Sequence, residues 1–120
     1  FWVQEFAKKG GGHHDTHVHW DNHISGFYFL KCTDKTSYPS FSDPRPGAMM
    51  TKLPMKPEIT KSMPMSSDIF YRPKPGSLIF FPAYVPHQFV VDNGVDDFRF
   101  IHFNLQAVRK GILEGYKNNG

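Results

Sequence analysis

Apolar and polar positions alternate along this chain in short runs cut by Gly and Pro, the period of half-buried strands rather than of helices. Ile24 to Lys31 (ISGFYFLK) is the clearest run, aromatic and continuous enough to predict a strand buried on both faces. Ser77 to Pro82 (SLIFFP) predicts a second buried strand, and 98–105 (FRFIHFNL) another. Shorter strands are predicted over His13 to Trp20, Asp68 to Arg72 and Gln88 to Val91, while Phe1 to Lys9 reads as a strand or a helix end. Within His13 to Trp20, alternation puts Val18 and Trp20 on one face and His17 and His19 on the other. Lys74-Pro75-Gly76 is a turn, and Asp92-Asn93-Gly94 is a hairpin signal. Ala107 to Tyr116 has the spacing of a terminal helix, weakened by Gly111 and Gly115. The stretch from 47 to 67, with Pro54, Pro57, Pro64 and a set of methionines, predicts a long loop of the kind that is functional or mobile. Seven or eight short strands with this punctuation point to a mainly β sandwich or barrel.

Composition narrows the picture. The 120 residues suit one domain over 1–120, and 12 Phe with 10 Pro and 10 Gly agree with short strands and irregular loops. An opening at Phe1 rather than at a methionine leads us to expect a piece of a longer protein. The balance of 14 Lys+Arg against 11 Asp+Glu gives +3, with the charges scattered and not interleaved with aromatics, which argues against a nucleic-acid surface. No apolar run is long enough to span a membrane, and no signal peptide is evident. Cys32 stands alone, so no internal disulfide forms; a packed residue at a strand end suits it better than a reactive thiol.

The chemistry concentrates in histidine. Five of the seven fall in GGHHDTHVHWDNHISG, between His13 and His23. On a strand, His17 and His19 project together, and neighbouring imidazoles suit a divalent transition metal. The competing account is a polar surface cluster, since a single histidine is more often a hydrogen-bonded residue than a ligand. His87 is the best third partner, because Pro82 and Pro86 stiffen the segment before it and a metal site needs rigid donors. His102 lies in an aromatic strand with Phe98 and Phe100 on its face, as a satisfied core or pocket histidine.

The segments HVHWDNHISGFYFLK (17–31), DPRP (43–46), PGSLIFFPAYVPH (75–87) and FRFIHFN (98–104) resemble, in this order, the 2-oxoglutarate/Fe(II) oxygenase-like proteins of marine phages and bacteria. The chain is also similar to the wider cupin pattern, in which Gly76, Pro82 and His87 fit, although Tyr84 stands where cupins favour glycine. The resemblance implies a double-stranded β-helix, a jelly-roll fold of cupin type. It further implies Fe(II), 2-oxoglutarate as co-substrate and O2, used to hydroxylate a substrate with oxidative decarboxylation of 2-oxoglutarate. Carried onto this chain, the metal ligands are His17, His19 and His87. The usual triad has a carboxylate, however, and His13 with Asp15 or His19 with Asp21 supply literal His-x-Asp pairs, so Asp15, Asp21 and His13 stay open as alternates. Arg99 is the implied partner of the distal carboxylate, on the strand expected to pair beside His87, with Arg45 as the alternate and Tyr28 as a further co-substrate contact. Arg99 sits one residue off the family spacing to Asn104, and such a slip reverses the face unless a bulge restores it.

Two other readings remain open: a cupin-type enzyme with another metal (an isomerase or cofactor-independent dioxygenase), or a non-catalytic binding or virion module. The Met-rich stretch from Met49 to Met65 is a candidate lid. The expected location is cytoplasmic, in the host if the chain is viral. Neither the primary substrate nor the oligomeric state is legible.

Overall fold

The computed structural model describes residues 1–45, 68–112 and 115. Eight strands follow one another: β1 (Trp2–Phe6), β2 (His14–His17), β3 (Ile24–Lys31), β4 (Pro39–Ser42), β5 (Asp68–Phe70), β6 (Leu78–Pro82), β7 (His87–Phe89) and β8 (Phe98–Leu105). They form two four-stranded antiparallel sheets, ordered β1-β8-β3-β6 and β2-β7-β4-β5. The first strand pairs with the last, the second with the seventh, the third with the sixth and the fourth with the fifth. This nested pairing is a long hairpin rolled into two sheets, the arrangement of a jelly roll and of cupin-like folds.

Alternation decides what fills the space between the sheets. Phe27 and Phe29 of β3 point inward with Phe98, Phe100 and His102 of β8, while Tyr28, Leu30, Arg99, Ile101 and Phe103 take the other face. Phe6, Phe27, Phe29, Cys32, Phe81, Phe89, Phe98 and Phe100 make the core. Its rings pack stacked and edge-on, with Phe89 and Phe100 at 4.5 Å and Phe27 and Phe89 at 5.0 Å between centroids. Cys32 is buried, its Sγ 3.5 Å from the Pro73 carbonyl, and burial pushes its thiol pKa up, which suits a packed residue.

Several expectations are corrected. The strands β3 and β6 are buried on one face only: Leu78 is 50% and Phe80 59% exposed. The strand 13–20 is regular only over His14–His17. Asp92-Asn93-Gly94 does turn, with Gly94 at φ 70, but it is not a hairpin. The strands it joins lie in different sheets, β7 pairing with β2 and β4 and β8 with β1 and β3. It is instead pinned to the glycines before β2, Gly11 N donating to the Asp92 carbonyl and Asp92 N to that of Gly12. Of the expected terminal helix, the described helical residues are 110–112 and Gly115, with Ile112 N donating to the Arg109 carbonyl. The candidate lid from Met49 to Met65 lies outside the described residues. Among those residues no helix is long and apolar enough to cross a membrane.

Candidate metal centre

His17 ends β2 and is the Cα partner of His87, which begins β7. Between His14↔Phe89 and His17↔His87 the β2 strand carries one extra residue, a bulge. Strict alternation would send His14 and His17 to opposite faces. With the bulge, His14 sits against Phe89 (5.6 Å) and His17 against His87 (4.4 Å), both turned into the barrel. His19 follows the strand. Its backbone N–H donates to the Ala83 carbonyl, and Ala83 N donates to His23, so the loop after β6 holds this segment in place.

The result is a compact cluster. One ligand nitrogen each from His17, His19 and His87 lies within 4.8 Å of the others. The His17 Nδ1 is 2.6 Å from the Asp15 carbonyl, and the His87 Nδ1 is 3.0 Å from that of Val85. A carbonyl only accepts, so each of these nitrogens carries the proton and leaves Nε2 with a free lone pair. This backbone anchoring is the outer-shell arrangement of metal-bound imidazoles. Nε2 of His19 and Nε2 of His87 stand 3.2 Å apart. Two such nitrogens share either a proton or a cation.

Burial favours the neutral form of His19 and His87. It lowers the pKa of His19, with the neighbouring His17 and His14 acting in the same sense. His87 is pushed down to about 4, first by burial, against the opposing pull of its bond to Val85, with His17, His19 and His14 adding to the depression. Neutral imidazole is the form that binds metal.

The other candidates lie elsewhere. The Asp15 side chain is 95% exposed and faces His13 Nε2 at 3.5 Å, outside the cluster. Asp21 is exposed in a left-handed turn, φ 63. Neither carboxylate joins the three histidines. Arg99 is on the outer face of its sheet, its Nη2 2.6 Å from Glu5 of β1, and its strand does not pair with β7. The family spacing slips by one residue and no bulge within β8 restores it, so the slip turns Arg99 outward and Phe98 inward. Tyr28 shares that outer face. Arg45 is exposed and grips Asp43 through Nε (3.0 Å) and Nη2 (2.7 Å). It follows β4, whose last residue donates Ser42 N to the Pro86 carbonyl, beside His87.

The sequence reading passed over one histidine, His14, and took another, His102, as satisfied. His14 lines the inner face beside His17, burial lowering its pKa. His102 points inward from β8, its ring 4.7 Å from that of His19, and is no satisfied core residue: both ring nitrogens are buried without a hydrogen-bond partner among the described residues. Burial, then His19, pushes its pKa down to about 3. Its place on the core face is as read from Phe98-x-Phe100-x-His102; what the sequence does not carry is its lack of a partner.

A family model described as "Putative 2OG-Fe(II) oxygenase" matches residues 1–104, from before the first strand into the last. No curated protein matches the chain.

Proposed function

The chain belongs to the 2OG-Fe(II) oxygenase family, and from that premise we propose that it is an Fe(II)/2-oxoglutarate-dependent oxygenase whose metal is held by His17, His19 and His87. The observation that carries this reading is the convergence of three imidazole nitrogens within 4.8 Å, two of the rings anchored through their far nitrogen to backbone carbonyls. The donor set fits Fe(II): imidazole is a suitable ligand, and three donors leave positions on the ion for exogenous ligands. When bound, Fe(II) and 2-oxoglutarate would supply oxidising chemistry, in which one oxygen atom of O2 goes to a substrate C–H bond and the other to the succinate left when 2-oxoglutarate loses CO2.

The chain's own part is positioning and exclusion of water. Phe81 (4.7 Å), Phe27 (5.8 Å) and Phe41 (6.2 Å) surround the His87 ring, so the donor meets its partner from a fixed, dry direction. The Val85 and Asp15 carbonyls hold the tautomers that turn Nε2 to the centre. The fit to 2-oxoglutarate is less complete. No Lys or Arg is buried among the described residues, and Arg99 faces away. Arg45, carried by the end of β4 beside the His87 turn, is the other candidate named from the sequence for the distal carboxylate. This lack of a buried cation favours one second reading, a cupin-type metalloenzyme taking a different ligand on the same histidines.

Anaerobic titration of the metal-free protein with Fe(II) and then 2-oxoglutarate separates the two. A visible metal-to-ligand charge-transfer band, lost in His87→Ala, is the expected result. Iron binding without the band would move the assignment to the second reading.

A further inference from the structure

β8 turns His102 into the barrel beside the histidine cluster, and no hydrogen bond in the fold accounts for it. His102 is 1% exposed, and its Cα partners are Trp2 and Phe27 on the neighbouring strands. Their rings stand 4.3 and 4.9 Å away, and His19 completes the surround at 4.7 Å. All three contacts are to ring faces or edges, and neither nitrogen of His102 has a hydrogen-bond partner among the described residues. A buried imidazole without partners carries the full penalty of its lost hydration, which an apolar side chain would avoid. A buried imidazole with both nitrogens unpaired points to something outside the described residues that supplies the hydrogen bond.

That something is not the metal. The nitrogens that converge are those of His17, His19 and His87, and His102 is not among them. Nor is it a distant end of the co-substrate, because the His102 ring lies 4.7 Å from the His19 ring and 6.4 Å from that of His87, within the cluster's own neighbourhood. We propose that His102 is a ligand-binding residue, hydrogen-bonding a carboxylate oxygen at the metal end of a bound 2-oxo acid. This inference rests on the oxygenase reading above and adds to it a polar contact at the chelating end, separate from the distal contact first expected of Arg99.

The test uses the full chain loaded anaerobically with Fe(II) and titrated by calorimetry with two probes. 2-Oxoglutarate has both carboxylates; oxalate keeps the chelating end and lacks the distal one. In His102→Phe, Fe(II) affinity is expected to stay at the wild-type value, while both probes bind about tenfold more weakly or worse. His102→Gln, which restores an N–H donor, is expected to recover part of the loss, and it carries the test if His102→Phe does not melt cooperatively. Unchanged affinity for both probes in the variants overturns the proposal and leaves the oxygenase reading standing. Weakened 2-oxoglutarate with unchanged oxalate also overturns it, placing the contact at the distal end. Loss of Fe(II) overturns it by making His102 part of the metal's own support. If the wild-type protein binds Fe(II) but neither probe, the oxygenase reading fails and the proposal with it.

Discussion

His87 and Arg99 lie twelve residues apart in the sequence and on opposite sides of a sheet in the fold, and their substitutions should differ accordingly. His87→Ala removes a buried donor from the cluster, and we expect Fe(II) affinity to fall by on the order of 100-fold or more, read by competition with a metal chelator. Wild-type affinity in that variant would take His87 out of the site. Arg99→Ala breaks only a half-exposed ion pair with Glu5. Its expected effect is under about 1 kcal/mol on stability, with 2-oxoglutarate binding unchanged. A marked loss of 2-oxoglutarate binding would mean that the side chain reaches the site by a rearrangement of β8. The histidine cluster was legible in residue type and spacing, with His13, Asp15 and Asp21 left open as alternates. The direction of Arg99 was not, since it turns on a shift of one position in register.

At the level of elements, two local irregularities do much of the placing. The bulge in β2 brings His14 and His17 to one face, which the period of two cannot do for residues three apart. Gly26, in the middle of β3, allows the Phe80 and Phe103 rings to meet at 5.5 Å across the outer face. A Cβ there would run into the Phe103 ring and lie 2.7 Å from the Ile79 carbonyl oxygen. Gly26→Val should therefore cost about 1–3 kcal/mol in urea unfolding, since the backbone half of the clash cannot move aside. An unfolding midpoint equal to wild type would show that β6 can shift freely. The aromatic run of β3 suggested burial on both sides for a simple reason. Hydrophobicity reports propensity and potential burial together, and here a row of Val3, Ile101, Tyr28 and Leu78, matched in register across four strands, stays largely on the surface.

For the whole molecule, stability rests on one aromatic core with neutral histidines at its edge. Phe100 is fully buried against Phe89, Phe98, Phe6 and Phe27, and Phe100→Ala should cost about 3–5 kcal/mol. For a small domain that is a large share of the total, so the variant is expected to be partly unfolded at ambient temperature by circular dichroism. Acid should act through His87 and His102, whose pKa values fall from 6.5 to about 4 and about 3 on folding. Below 6.5 the unfolded chain takes up protons that the folded one refuses. Their contribution is thus fully present above that pH and is lost as pH falls toward the folded values, by up to about 1 kcal/mol per pH unit for each group. The metal-free protein should melt several degrees lower at pH 4.5 than at pH 7, with a smaller difference in His102→Phe. A flat profile would show that these rings are hydrated in the fold. Bound metal should protect against the same loss, because it competes with protons for the same nitrogens.

Fold class and the histidine-rich chemistry could be read along the chain, with Asp15, Asp21 and His13 still open beside the three histidines. Period-two alternation between Gly and Pro breaks specifies short strands, an aromatic inner face specifies the core, and imidazoles at positions 17, 19 and 87 carry their chemistry wherever they are placed. Tertiary structure alone decided which side chains share a space. Nested pairing puts His17 opposite His87 across seventy residues of chain. A bulge recruits His14, and the parity of β8 turns His102 in and Arg99 out. Each depends on register between distant strands, and a shift of one residue reverses a face without changing the local pattern from which a strand is recognised.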